Sequence, residues 1–143
     1  MPTLENWFYW AILSAVFAAL TAIFAKVGIE GIDSDVATLI RTAIVLVVLT
    51  AFVWATGKWH APLTLPPKSW LFLTLSALAT GASWVSYFRA LQLGDAAKVA
   101  PVDKLSVVLV AVFAVAFLGE HLSLREWGGV GLVALGVVVL AFK

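Results

Sequence analysis

Long apolar runs alternate with short polar breaks along the whole chain. The runs extend from Trp7 to Val27, Val36 to Thr56, Ser69 to Leu91, Lys98 to Leu118 and Arg125 to Phe142. Each is close to the about 20 mainly apolar residues that carry a helix across a hydrocarbon layer about 30 Å thick. Polar and turn-forming residues gather in four breaks, Gly28 to Asp35, Gly57 to Lys68, Gln92 to Ala97 and Gly119 to Leu124. Backbone amides inside lipid have no water to satisfy them, and runs of this length are about twice those of a barrel strand, so the runs must be α-helices. The pattern predicts an all-α polytopic membrane bundle, one domain over residues 1–143 with five transmembrane helices.

The breaks are too short to hold a soluble domain. Pro62, Pro66 and Pro67 stiffen the longest, and Gly28, Gly31, Gly57, Gly94 and Gly119 stand at helix ends, where a left-handed turn costs little. Trp7, Tyr9, Trp10, Trp54, Trp59, Trp70 and Trp127 fall at or near run ends, as expected of rings that favour the headgroup layer. Composition strengthens the membrane reading: 63% of residues are hydrophobic and 12% charged, against about 45–50% and about 25% in soluble domains. Met1 to Asn6 carries Glu5 but no Lys or Arg, and no small-residue cleavage site follows the first run, so that run is expected to remain in the mature protein. The sequence has no cysteine, and His60 and His121 sit in breaks without a second ligand at metal spacing. Neither a metal site nor a cofactor is expected.

A net charge of +1 with no basic stripe gives no footprint for nucleic acid. Alternating spans put Lys58, Lys68 and Arg125 on one side of the membrane and Lys26, Arg89, Lys98 and Lys143 on the other. This near balance gives the positive-inside rule almost nothing to act on. Five spans also place the two ends on opposite sides. Two copies inserted in opposite senses would form an inverted pair about a two-fold axis in the membrane plane, an arrangement used by many secondary transporters, and the charge balance permits it.

Charge within a span costs at least about 2.5–3.5 kcal/mol near its centre, so each such residue calls for a reason. Arg41 in the second span, and Asp103 with Lys104 in the fourth, each lie about 7–8 Å in from the same side at a rise of about 1.5 Å per residue. One reading is a charge cluster lining a cavity, with surplus positive charge facing a carboxylate or phosphate on a solute. The other is that Arg41 and Lys104 snorkel to the interface. Asp103 is the one carboxylate deep enough to serve as a proton carrier.

In the third span Ser76, Thr80, Ser83 and Tyr87 recur along one helical face, bordered by Trp84. Such a stripe gains nothing from lipid. It either faces a solute, which the hydroxyls bind and the rings shape, or makes interhelical hydrogen bonds. Ser14 in the first span is a further lining candidate, with bonding to its own backbone as the silent alternative. Pro101 removes a backbone donor and is expected to bend the fourth span. Gly128, Gly129, Gly131 and Gly136 thin the fifth span for close packing of helices or copies, without a GxxxG pair. Glu120, His121, Arg125 and Glu126 read as a solvated turn.

From Tyr87 the chain runs YFRALQLGDAAKVAPVDKLSVVLVAVFAVAFLGEHLSLREWGGVGLVALGVVVL. This resembles the EamA domain of the drug/metabolite transporter superfamily, through the small-residue ALQLGDAAKVAP turn, a fourth span closing in FLGE and a Gly-rich fifth span. The run IRTAIVLVV, from Ile40 to Val48, looks like the second span of the single-repeat, five-span branch. Larger members of that superfamily carry ten spans in two opposed halves and move small metabolites. The resemblance therefore implies one unfused half that works as an antiparallel homodimer of ten helices. The four-span small multidrug resistance relatives use a carboxylate in their first span, and none lies between Trp7 and Val27 here.

The functional expectation is a multi-pass membrane transporter of small polar or amphipathic metabolites, working by alternating access between two antiparallel copies. Its expected location is the cell membrane, the inner membrane of a prokaryote. The competing reading is a non-transporting membrane subunit or assembly factor that pairs with another chain. No nucleophile with a base, paired carboxylates or phosphate loop stands at usable spacing, so no enzyme is expected.

Overall fold

The computed structural model describes residues 4–59 and 64–142. His60, Pro62 and Lys143 lie outside them. The elements are α1 (Leu4–Gly28), α2 (Ser34–Ala55), α3 (Pro67–Leu93), α4 (Ala96–Asp103), α5 (Leu105–Phe117) and α6 (Leu124–Ala141). No strand occurs among the described residues. Five helical stretches are long and apolar enough to span a membrane: Trp7–Gly28, Ser34–Ala55, Pro67–Leu93, Ala96–Phe117 and Leu124–Ala141. The fold is all-helical and polytopic, as the pattern of apolar runs predicts.

Local chemistry sets the helix ends. The Asp33 carboxylate accepts from the backbone N–H groups of Asp35 (2.9 Å) and Val36 (3.2 Å), capping α2. Ser123 and Glu126 form a reciprocal capping box at the start of α6. Pro67 opens α3, where its missing N–H would have no helical partner anyway. Gly31 turns the chain between α1 and α2 at φ 75°, a conformation that only glycine enters freely.

Inside the spans, hydroxyls turn back on their own helix. Thr21 donates to the Phe17 carbonyl at 2.7 Å, Thr38 to Ser34 at 2.8 Å, Thr42 to Thr38 at 2.7 Å and Thr50 to Leu46 at 2.7 Å. Each bond removes an unsatisfied donor from a region without water.

The chain forms two compact units, one of Met1–Ile23 with Leu93–Lys143, the other of Phe24–Gln92. In the first, α5 packs on α6, and α4 packs against both. In the second, the α1–α2 turn and the starts of α2 meet the end of α3, burying Ile29, Ser34, Ala37, Thr38, Phe88 and Leu91. Long apolar side chains such as Leu39, Leu46 and Leu78 point outward. In water these would be a liability, whereas lipid tails solvate them.

Candidate functional site

The second unit carries the densest polar chemistry, where antiparallel neighbours α2 and α3 meet. Arg89 near the end of α3 grips Asp35 in the first turn of α2 through two parallel bonds, Nη2 to Oδ2 at 2.7 Å and Nε to Oδ1 at 3.2 Å. Gln92 donates from Nε2 to the Ile32 carbonyl at 2.7 Å, and the Lys26 ammonium donates to the Leu91 carbonyl. A planar guanidinium fork fixes direction as well as distance. The first two contacts set the level of α2 against α3, and the third ties the end of α1 to the end of α3.

That level brings Arg41 to the hydroxyl-bearing helix. Arg41 lies six residues beyond Asp35, and Trp84 five residues before Arg89, which puts both about 8–9 Å deeper at about 1.5 Å per residue. The guanidinium carbon of Arg41 rests 4.4 Å from the centre of the Trp84 ring and 5.2 Å from that of Phe88. Trp84 and Phe88 are one turn apart on α3, so both rings serve one cation. The charge sits between them, nearer the deeper ring. Such contacts are worth about 0.5–2 kcal/mol, a useful part of what a charge in a span costs.

Trp84, Tyr87 and Thr80 are partly covered, while Ser76 and Ser83 face outward. Thr80 donates to the Ser76 carbonyl at 2.8 Å. Its oxygen keeps lone pairs that can accept from another group. Ser14 also faces outward, on α1. An open depression of 430 Å³ at the end of this unit is lined by Lys26, Ile29, Glu30, Gly31, Ile32, Leu91 and Gln92, none of them predicted from sequence as lining residues.

Asp103 and Lys104 belong to the other unit, at the boundary between α4 and α5, with the Lys104 ammonium 3.7 Å from the Asp103 carboxylate. Pro101 lies within α4. The helix is interrupted at Lys104, three residues further on, where the Lys104 N–H bonds the Pro101 carbonyl and the Val107 N–H bonds that of Lys104, both at 3.0 Å. These tighter turns leave irregular backbone inside a span, which is tolerated where protein or a water-filled cavity covers it. At Gly128, Gly129, Gly131 and Gly136 an added Cβ would meet nothing within 4 Å.

Phe88, Arg89 and Asp35 are absent from the sequence-derived site. Phe88 stands four residues after Trp84, and this spacing was the signal available for it. Arg89 and Asp35 were visible only as charges near span ends.

Comparison with known proteins agrees with this architecture. Residues 6–142 match the EamA-like transporter family. The chain is 61% identical over 137 residues to a Sinorhizobium sp protein described as "Uncharacterized transporter in cobO 3'region", an alignment covering 96% of this chain and 97% of that one. No solved structure matches it. A family match over nearly the full chain, joined to five membrane-length helices, is what a single-repeat member presents. The chain belongs to the EamA-like transporter family and is a multi-pass integral membrane protein.

Proposed function

We propose that the protein moves small polar or amphipathic metabolites across the inner membrane of a prokaryotic cell, with two antiparallel copies alternating between inward- and outward-open states. The observation that carries this reading is the third span. Its hydroxyl and aromatic stripe runs beside a cation held within the membrane, on the same α2–α3 pair. Polar surface of this kind serves a passing solute and is wasted on lipid. Ser14, Asp103 and Lys104 are assigned to the same route. Pro101 supplies the irregular backbone for its gating, and the α6 glycines supply contact between copies. A non-transporting subunit would have no need of water at the stripe.

The lack of cysteine makes the test simple. Ser76→Cys and Ser83→Cys are expected to react with a membrane-impermeant maleimide, and Leu78→Cys, two residues from Ser76 and so on the side of α3 away from the stripe, to stay inert. Equal inertness at all three positions would favour the subunit reading. Reaction of the serine positions alone supports an aqueous cavity.

A further inference from the structure

We propose that Arg41 is the head-group site of the transport route and that the solute it takes is a small organic anion, bound through a carboxylate or phosphate. This rests on the transporter reading and adds the chemical class. Three observations carry it.

First, the rings hold the guanidinium without using its hydrogen-bond donors. Trp84 and Phe88 lie 4.4 Å and 5.2 Å from its central carbon, and an aromatic ring attracts a cation without neutralising it. The five N–H donors point along the edge, in the fork that matches two oxygens of one carboxylate or phosphate. Second, among the described residues of its own compact unit no carboxylate pairs with Arg41 and no acceptor takes its hydrogen bonds. Asp35, on the same helix as Arg41, is already gripped at two points by Arg89. Third, the contacts at the end of α3 hold the two helices at a level where Trp84 stands beside Arg41, so the cation is positioned before any solute arrives. A charge kept inside a span, with its donors unused and its orientation set, is prepared for an oxyanion.

A phosphate could also come from a lipid headgroup, and the experiment separates the two sources. Purified full-length protein in maltoside micelles and phosphate-free buffer is titrated with sodium benzoate and with phenyl phosphate, using neutral benzamide as the control, with heat of binding as readout. At least one of the two anions is expected to bind saturably and benzamide not. Arg41→Gln is expected to bind that anion about tenfold more weakly, and Arg41→Lys to fall between, since charge-assisted bonds exceed neutral ones but an ammonium cannot reproduce the fork. Gel-filtration profiles matching the parent exclude misfolding, and should Arg41→Gln fail this check, Arg41→Lys carries the comparison. Equal binding of benzamide and the anions, binding of neither anion, or an Arg41→Gln affinity equal to the parent's would overturn the proposal. The titration is repeated in nanodiscs of phosphatidylcholine with and without phosphatidylglycerol. Retained affinity supports a solute site, and loss in either bilayer identifies lipid phosphate as the occupant and overturns it. If the serine-position cysteines react with maleimide while anion binding fails, transport stands and the anion class falls.

Discussion

Trp84→Ala is expected to lower uptake of phenyl phosphate into proteoliposomes by up to about tenfold, and Trp84→Phe by only a few-fold. A cation–π contact at a half-buried site is worth about 0.5–1.5 kcal/mol, which corresponds to at most roughly a tenfold change at about 1.4 kcal/mol per factor of ten. Alanine removes the ring nearest the Arg41 guanidinium, 4.4 Å away, and leaves Phe88 at 5.2 Å. The head of Arg41 then loses the surface that keeps it at the depth of the hydroxyl stripe. Phenylalanine restores an aromatic face, though a weaker one. The same pair gives a second readout: Arg41→Gln with Trp84→Ala should lose little more than the worse single change, because the two side chains act as one unit. Additive losses would mean that Trp84 meets the solute independently of Arg41.

Gly136→Leu is the second large effect. An added Cβ there meets nothing within 4 Å, so the helix itself accommodates a side chain, and replacing glycine favours the helical state by up to about 1 kcal/mol. In the proposed antiparallel pair, with α6 as the contact between copies, the same position would be taken by the partner's helix. Overpacking of a close contact costs about 1–3 kcal/mol, or roughly a 5- to 150-fold weaker association. Single-molecule photobleaching in lipid vesicles should therefore report fewer dimers with unchanged helicity. Val138→Leu, exposed and on the opposite side of α6 from Gly136, is the control and should leave dimers intact. Undiminished pairing in Gly136→Leu would remove α6 from the contact between copies.

The spans were legible because lipid imposes one rule over about 20 residues at a time. The helices start and stop within two residues of the apolar runs, except that α1 begins at Leu4. The small shifts follow from caps that hydropathy does not weigh, such as Asp33 accepting from Asp35 and Val36, which starts α2 at Ser34. The site was legible in its parts and not in its joins. The serine and threonine periodicity of α3 and the lone charge of Arg41 both stood out, since each is a local departure from an apolar background. Nothing local says which side of α2 faces α3. Equal depth grouped Arg41 with Asp103 and Lys104. Within its own unit Arg41 meets the rings of Trp84 and Phe88, more than forty positions away, a pairing that no local pattern announces. The Arg89–Asp35 pair that sets the level of the two helices joins residues 54 positions apart, and each alone is only a charge near a span end.

Orientation in the membrane tests the account most directly. Ile32, between α1 and α2, and Thr64, between α2 and α3, flank opposite ends of the same span. Cysteine at either leaves the net charge, and so the weak topological signal, unchanged. Intact cells carrying Ile32→Cys or Thr64→Cys are labelled from outside with an impermeant maleimide. Two opposed copies predict that a substantial fraction of each variant is labelled. Complete labelling of one variant and none of the other would contradict the inverted pair.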